Sequence, residues 1–593
     1  MPTLRVATSA HEILCDDSMV IAGSILAHYA DRQVAPLRAT AMLIEADVSV
    51  CLVSCDVIVV PGEVADRAST RIAETCGVPF DNVLICGTHT HHAPSTIHVH
   101  GYDADTEFCR RLEEAVVSAA TDARRQLGEA QPGSNAAEAE LGFALSQEAT
   151  VGSNSRKLLK DGCLTWMAHP DSEVVRPTGP FDPDLPVVAF RRPGGEWAGA
   201  LFNHSTHNIG PCGAGRSPGF YGIAAQALET ELGAPFLFLP GAFGSTHNQT
   251  VPDVEAKVRI AAAIKEGLER MEFGLAGPVR CLKQRFEYRV RHFDEDAEEA
   301  AVRTYCARYV QPEAAESYVE VFRQSRRGLA PKRGETRCTW LQVIRLGEVA
   351  LVGVPGEMFG ALGLEIRRRS PFRHTFVVGL ANDWIGYLPD RAGMQLGGYQ
   401  CWTGLHSFVA EGTGQRMVEE ALALLGELAA SPDAASAAEP ALRQLHGDDA
   451  PRLQRFYNGL CPHSRKMFRP LGWNATLGQC EQVVADALAG NRFDVVALSG
   501  ERLVGWAFLV RMDQDVPHLG IGCADDFLGR GLGKRLMQAV MDKAREARKQ
   551  GVDLIVVQAN ERAWKLYERY GFRIAGMQTG ADGQEYYRMQ AEF

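Results

Sequence analysis

The sequence predicts an α/β protein in two parts: a large mixed-sheet domain with a metal site at its strand ends, then a smaller α/β domain. Three observations predict this. Short runs rich in Val, Ile and Leu alternate with helical patterns through residues 1–430. One abrupt change, SPDAASAAEPA at Ser431 to Ala441, offers small residues and Pro but no large apolar side chain, so it reads as a linker. Beyond it, VPHLGIGCADDFLGRGLGKRLMQAVMDKAREARKQG reads as strand, glycine-rich turn and amphipathic helix. The expected boundaries are 1–430, a linker at 431–442, and 443–593.

Taken in order, Ala39–Glu45 and Val48–Val60 read as paired strands. Asn82–Thr90, Leu185–Phe190, Ala198–Asn203, Phe236–Leu239, Leu341–Val354 and Thr375–Leu380 are similar apolar runs. Tyr221–Leu232 and Val258–Met271 carry helical spacing. Some consecutive strands are joined directly and others through a helix, so the sheet should be mixed.

Composition narrows the function. Hydrophobic residues at 46% and charged residues at 23% exclude a disordered or collagen-like chain. Lys+Arg of 61 against Asp+Glu of 73 leaves a formal charge of −12, which argues against a nucleic-acid partner with its need for a basic footprint. No stretch reaches the roughly eighteen apolar residues of a membrane helix; the most apolar window, Val48–Pro61, is broken by Asp56. The opening MPTLRVATSAHEILCDD lacks the charged head and apolar core of a secretory signal. Fifteen Cys in apolar contexts read as buried reduced thiols. A cytoplasmic protein with no membrane partner is expected, and homo-oligomerisation is left open.

The most informative stretch is GTHTHHAPSTIHVH, Gly87–His100, with five of the seventeen His in twelve residues. On a strand, residues i and i+2 share a face, so His89 and His91 are expected to project together. One such His reads most simply as a solvated loop residue; five together point to a zinc-type ion. Further ligands are sought where other strands open into Gly or Pro: FNHSTHN at 202–208, LPGAFGSTHN at 239–248 and VPGEMFG at 354–360. Glu357 there is either a helix-start charge or a ligand, and spacing does not choose.

The ordered series THTHHAP, NSRK, GPFDPDLPVVAF, FNHSTHN, SPGFYG, FLPGAFGSTHN, VPGEMF and NDWIGYLP with GGYQ resembles the catalytic domain of the neutral/alkaline non-lysosomal ceramidase family over about residues 5–430. The resemblance implies a zinc held by His89, His207, Glu357 and Tyr387, with His91 at the reacting carbonyl. It implies metal-assisted amide hydrolysis, in which zinc lowers the pKa of its water from about 15.7 to about 7 and His91 or His247 donates a proton to the leaving nitrogen. Two departures stand out: Ser245 and His247 replace the family's Asp and Ser after the Gly244 turn, and the family's β-sandwich tail is missing. A small polar amide is therefore expected rather than a long-chain lipid.

In the last 150 or so residues, Gly529, Gly531 and Gly533 uncover backbone amides where a helix begins, a setting that attracts pyrophosphate. With DLIVVQANERAWKLYERYGF downstream, this part resembles the GNAT superfamily of acyl-CoA N-acyltransferases from about Arg443 onward. The resemblance implies acetyl-CoA as cofactor, cradled by Leu528, Gly529, Arg530, Gly531, Leu532, Gly533 and Lys534 and touched by Asn560. Tyr567 would protonate the departing thiolate. Leu528 stands where the family usually has Gln or Arg. Backbone near Leu519–Cys523 would polarise the thioester, and Asp525 and Asp526 are candidate bases by position alone. The leading expectation is a bifunctional enzyme that cleaves an amide of a small polar metabolite and acetylates an amine. Two others stay open: an acetyltransferase whose large domain only recognises substrate, and a non-enzymatic CoA-sensing module.

Overall fold

The computed structural model of the chain describes residues 4–129, 138–210, 215–274, 278–430, 440–460, 462–499, 502–524, 527–528, 531–580 and 583–593. They fall into two compact units, Met1–Ser431 and Pro432–Phe593.

Among the described residues, three larger sheets carry the core of the N-terminal unit, beside three small ones of two or three strands. The first runs Arg5–Glu12, Arg38–Glu45, Ser49–Cys55, Val83–Gly87 in spatial order. Its strands read as continuous apolar runs because both faces are covered. Ala7, Ala41, Leu43, Cys51, Val53 and Ile85 pack under the helices Gly62–Cys76 and Thr106–Glu129. The alternate residues Val6, Met42, Ile44, Leu52 and Leu84 enter a core shared with the other two sheets, meeting Phe190, Leu201, Leu237, Ile344 and Leu351. The second sheet runs Phe236–Pro240, Trp197–His204, Asp184–Arg191, Glu140–Gln147, Glu272–Phe273, with helices Gly219–Leu232 and Asp253–Glu269 packed against it. The third runs Val279–Arg289, Thr336–Leu346, Val349–Gly353, His374–Val378, packed with helices Gly360–Arg369 and Thr413–Ala430.

Each of these three larger sheets contains one parallel pair, Ser49–Cys55 with Val83–Gly87, Trp197–His204 with Phe236–Pro240, and Val349–Gly353 with His374–Val378, and a short parallel pair joins Glu357–Met358 to Tyr387–Leu388. Parallel strands bring their carboxyl ends to the same edge, where an open α/β sheet forms its sites. Two expected strands are shorter than their apolar runs. Val48–Val60 is extended and paired only over Ser49–Cys55, and Leu341–Val354 is the end of one strand plus a second, turned at Gly347 with φ 62°.

The C-terminal unit is a seven-stranded sheet in the order Ala441–Gln444, Arg492–Ser499, Arg502–Val510, His518–Cys523, Gly551–Val557, Glu585–Glu592, Arg573–Thr579. Helix Leu532–Glu546 buries Leu536, Met537, Val540, Met541 and Ala544 against it. Ala441 and Leu442, expected in the linker, pair with Leu498 and Ala497 and so belong to the sheet; residues 431–439 lie outside the described residues. The cysteines of the described residues are free thiols. Among those residues no helix is long and apolar enough to cross a membrane.

Candidate active sites

In the N-terminal unit the loops leaving the three parallel pairs are tied together by main-chain hydrogen bonds. Asn382 N–H donates to Ile85 C=O at 2.7 Å, Gly379 N–H to Pro240 C=O at 2.8 Å, and Gly244 N–H to Met358 C=O at 2.8 Å. These ties gather His89, His207, Glu357 and Tyr387, which come from four different stretches of chain. His207 Nε2 lies 3.1 Å from Glu357 Oε2 and 3.2 Å from the Tyr387 hydroxyl, and His89 Nε2 lies 3.5 Å from the same carboxylate oxygen. The expectation that His89 and His91 share a strand face is wrong in its geometry. The strand ends at Gly87, and His89 has a left-handed φ of 59°. Thr88 N–H and His89 N–H bond to Cys55 C=O and Val57 C=O, which turns the chain. The His89 and His91 rings still meet, 4.8 Å apart.

Backbone carbonyls fix the tautomers. His89 Nδ1 faces Ile58 C=O at 2.9 Å, and His207 Nδ1 faces Thr246 C=O at 2.8 Å. A carbonyl only accepts, so Nδ1 carries a proton in both rings, and in the neutral form of each ring Nε2 carries a lone pair. Those lone pairs point at a carboxylate oxygen, an arrangement that repels unless a cation lies among them. Burial alone would raise the Glu357 carboxyl; positive charge on the His89 and His207 side holds it well below the usual range, a role that a bound cation would take over from neutral rings. Trp384 Nε1–H donates to its other oxygen at 3.0 Å. Two carbonyl-braced imidazoles, one carboxylate and one phenol are a donor set that fits zinc.

A cleft of about 340 Å³, its open mouth included, adjoins these groups. His91 lines it; both of its ring nitrogens are buried without a hydrogen-bond partner among the described residues, and burial together with His89 and His207 lowers its pKa well below the usual value. The nitrogens of His89, His91 and His207 all lie within 4.8 Å of one another. His100, Tyr399 and His406 also line the cleft, whereas His98 is exposed beside Asp103.

In the C-terminal unit, strand His518–Cys523 pairs with Arg502–Val510 along its whole length but meets parallel strand Gly551–Val557 only at His518 and Asp553. The two strands splay, leaving Leu519–Cys523 main chain open on that side. Gly531, with φ 84°, starts helix Leu532–Glu546, whose first two amides, of Leu532 and Gly533, lack intrahelical acceptors, while Lys534 N–H donates to Gly531 C=O at 3.0 Å. Leu528 is 44% exposed. Gly529, Arg530, Asp525 and Asp526 lie outside the described residues. Asn560 caps helix Glu561–Glu568, its Oδ1 accepting from Ala563 N–H at 3.2 Å. Tyr567 is buried near Cys523, and a Cβ on Gly533 would come within 3.9 Å of the Cys523 sulfur. Burial pushes the Tyr567 hydroxyl upward, so it stays protonated.

Residues 455–572 match the Acetyltransferase (GNAT) family. The C-terminal unit is a GNAT domain. The chain is 35% identical over 82 residues to the mycothiol acetyltransferase of Propionibacterium freudenreichii and 40% identical over 63 residues to the 5-NmdU N-acetyltransferase of Pseudomonas phage PaMx11. These matches take in 13% and 11% of this chain, and 26% and 43% of those relatives. The neutral ceramidase structure from Pseudomonas aeruginosa superposes with a TM-score of 0.53 at 16% identity, over 73% of this chain and 77% of that one. A ceramidase complexed with C2 gives 0.54 at 17%, over 74% and 78%. The large part of the chain therefore has a neutral ceramidase-like fold.

Within the ceramidase-like unit both residues of the first departure, Ser245 and His247, have structural roles. Ser245 Oγ accepts from Gly360 N–H at 3.2 Å, at the start of helix Gly360–Arg369. His247 stacks on His207 with ring centroids 3.9 Å apart, and its Nδ1 lies 2.6 Å from Ser155 Oγ. It is absent from the described lining of the cleft, which His91 shares. Residue reasoning also passed over Trp384, Tyr399 and Arg156. Arg156 is 2% exposed and donates to Gln400 Oε1 and to the carbonyls of Gly393 and Gly397, clamping the loop that carries Tyr399. Its motif, NSRK, showed a basic residue but not the distant carbonyls that need it.

Proposed function

We propose that the chain is a bifunctional enzyme: its ceramidase-like unit hydrolyses an amide bond of a small polar metabolite with zinc, and its GNAT unit transfers acetyl from acetyl-CoA to an amine. The observation that carries the hydrolytic half is the convergence of the Nε2 atoms of two carbonyl-braced imidazoles on one buried carboxylate beside the Tyr387 hydroxyl. His89, His207, Glu357 and Tyr387 would hold the ion. Zinc supplies a Lewis acid that activates water near neutral pH and takes up oxyanion charge. Neutral His91 sits at the same cleft, able to accept the proton of the attacking water and return it to the leaving nitrogen as the C–N bond breaks. His247, behind His207, braces that ring.

In the GNAT unit the open Leu519–Cys523 backbone would bond the pantetheine arm and polarise the thioester carbonyl. The helix start at Leu532, Gly533 and Lys534, with Leu528, Gly529, Arg530 and Gly531, would hold the pyrophosphate. Asn560 would touch the cofactor. There the amine nitrogen would bond to the acetyl carbon as the C–S bond breaks, Tyr567 would give its proton to the departing sulfur, and the proton lost by the nitrogen would pass to water and restore the phenol.

The test is metal content with activity. Purified protein should carry close to one zinc per chain, and His89→Ala and His207→Ala should each lose it along with any N-acyl hydrolysis. Full zinc in both variants by elemental analysis would remove these ligands from the proposal.

A further inference from the structure

Acetyl transfer to an alkylamine needs a base. The amine is an ammonium ion near neutral pH, and its nitrogen attacks a thioester only after giving up a proton. Alternate residues of strand His518–Cys523 face opposite sides of the sheet. A Cβ on Gly520 would run into the Phe508 ring and one on Gly522 into the Phe468 ring, so aromatic carbon lines that side. Leu519 and Cys523 face the other side, where Cys523 lies near Tyr567 and the start of helix Leu532–Glu546. His518 shares the side of Gly520 and Gly522, at the point where the splayed strands still pair, His518 opposite Asp553. The side chains of that pair are joined. His518 Nδ1 lies 2.7 Å from Asp553 Oδ1, and Arg511 Nη2 donates to the same oxygen at 3.0 Å. A carboxylate oxygen accepts, so Nδ1 carries a proton, and in the neutral ring Nε2 carries a lone pair. The His518 side chain is 25% exposed, which leaves the ring open to an entering amine. Asp494, on the same side, is buried and engaged by Arg492 and the Trp506 indole, so it is not available as the base.

We infer that His518, oriented by Asp553, deprotonates the acceptor amine, an assignment that rests on the acetyl-transfer reading above. His518 Nε2 takes one proton from the ammonium, directly or through one water, and Asp553 offsets the imidazolium charge. The neutral nitrogen then bonds to the acetyl carbon, the C–S bond breaks, and Tyr567 protonates the sulfur. The second proton of the nitrogen passes to water as the phenol is restored, and the imidazolium releases its own to solvent. Base and acid lie on opposite sides of one strand, so the entering nitrogen and the departing sulfur are served by separate groups.

Acetylation of phenethylamine and of aniline by the full-length protein, with acetyl-CoA near neutral pH, tests it. Phenethylamine, like a lysine side chain, is then almost wholly ammonium, whereas aniline is already neutral. His518→Gln should lower kcat/KM for phenethylamine by about 100-fold or more, the scale of general-base contributions, and for aniline by less than about fivefold. Asp553→Asn, which keeps the ring and removes the carboxylate, should show the same pattern with a loss of about tenfold. Acetyl-CoA binding, measured by calorimetry, should be unchanged in both variants. Equal losses with the two amines, or acetyl-CoA binding lost in both variants, would make the pair a structural tie and overturn the assignment. Undiminished phenethylamine turnover in His518→Gln would overturn it as well. No transfer to either amine by the unaltered protein would overturn the acetyl-transfer reading, and the assignment with it.

Discussion

Gly244 shows how a single hydrogen atom in place of a methyl group can hold a candidate metal site in register. A Cβ built there would lie 2.1 Å from the Glu357 carbonyl oxygen and 2.7 Å from its carbon, both backbone atoms that cannot swing aside. The close approach lets Gly244 N–H donate to Met358 C=O, which sets the turn carrying Glu357 against the loop that braces His207. Gly244→Ala should therefore displace Glu357 relative to His207. Overpacking of this kind costs about 1–3 kcal/mol of stability, and zinc affinity should fall about tenfold or more, in the range seen when partners that orient metal ligands are changed. Competition with a chromophoric chelator measures it; wild-type affinity would show that the approach is not needed. His89, the FNHSTHN histidines and Glu357 were marked as candidates by strand-end motifs, whereas Tyr387 and the choice of His207 over His204 came only through the resemblance. The role of Gly244 was not legible, because it exists only through a neighbour more than a hundred residues away.

At the scale of elements, most strands and helices were legible from apolar runs and helical spacing, and the errors have physical causes. Val48–Val60 is mostly apolar, but Asp56 N–H makes the last bond to the neighbouring strand, at Arg38 C=O, and Val57 N–H then turns back onto Cys55 C=O. The His-rich stretch follows a strand without extending it, since burial of Thr88, His89 and Thr90 among crossing loops replaces sheet pairing. The splay between His518–Cys523 and Gly551–Val557 was invisible too, because the sequence of each strand reports its own apolar pattern and not how far the pair stays in contact. That splay has a measurable consequence. If acetyl-CoA lies in it, the open amides of Leu519–Cys523 gain acceptors, and peptides covering them should exchange hydrogen several-fold more slowly with the cofactor bound. Unchanged exchange there, with slowing confined to the Leu532–Glu546 helix start, would place the acyl arm elsewhere.

For the whole N-terminal unit, the titration of its buried groups sets how stability varies with pH. His100 and His406, nearly fully buried, are pushed down to about 3 and about 4 by burial, so folding keeps them neutral. Their contribution is present above about pH 6.5 and is lost as the pH falls toward those values. Asp56 acts with the opposite slope. It is 7% exposed, and burial raises its carboxyl to about 7 despite Arg38, whose guanidinium pairs with Glu229 at 2.7 Å and whose N–H donates to Asp56 at 3.0 Å. Below about pH 4 both folded and unfolded chains hold this proton, and nothing is lost. Between about pH 4 and 7 the unfolded carboxyl ionises while the folded one stays protonated, so stability falls as the pH rises, by roughly 2–4 kcal/mol in all. Asn at this position keeps an acceptor for Arg38 N–H and has no proton to lose. Asp56→Asn should therefore melt close to the wild type at pH 4 and a few degrees above it at pH 8, by differential scanning calorimetry. An offset equal at both pH values would mean that Asp56 is ionised throughout, with Arg38 outweighing its burial.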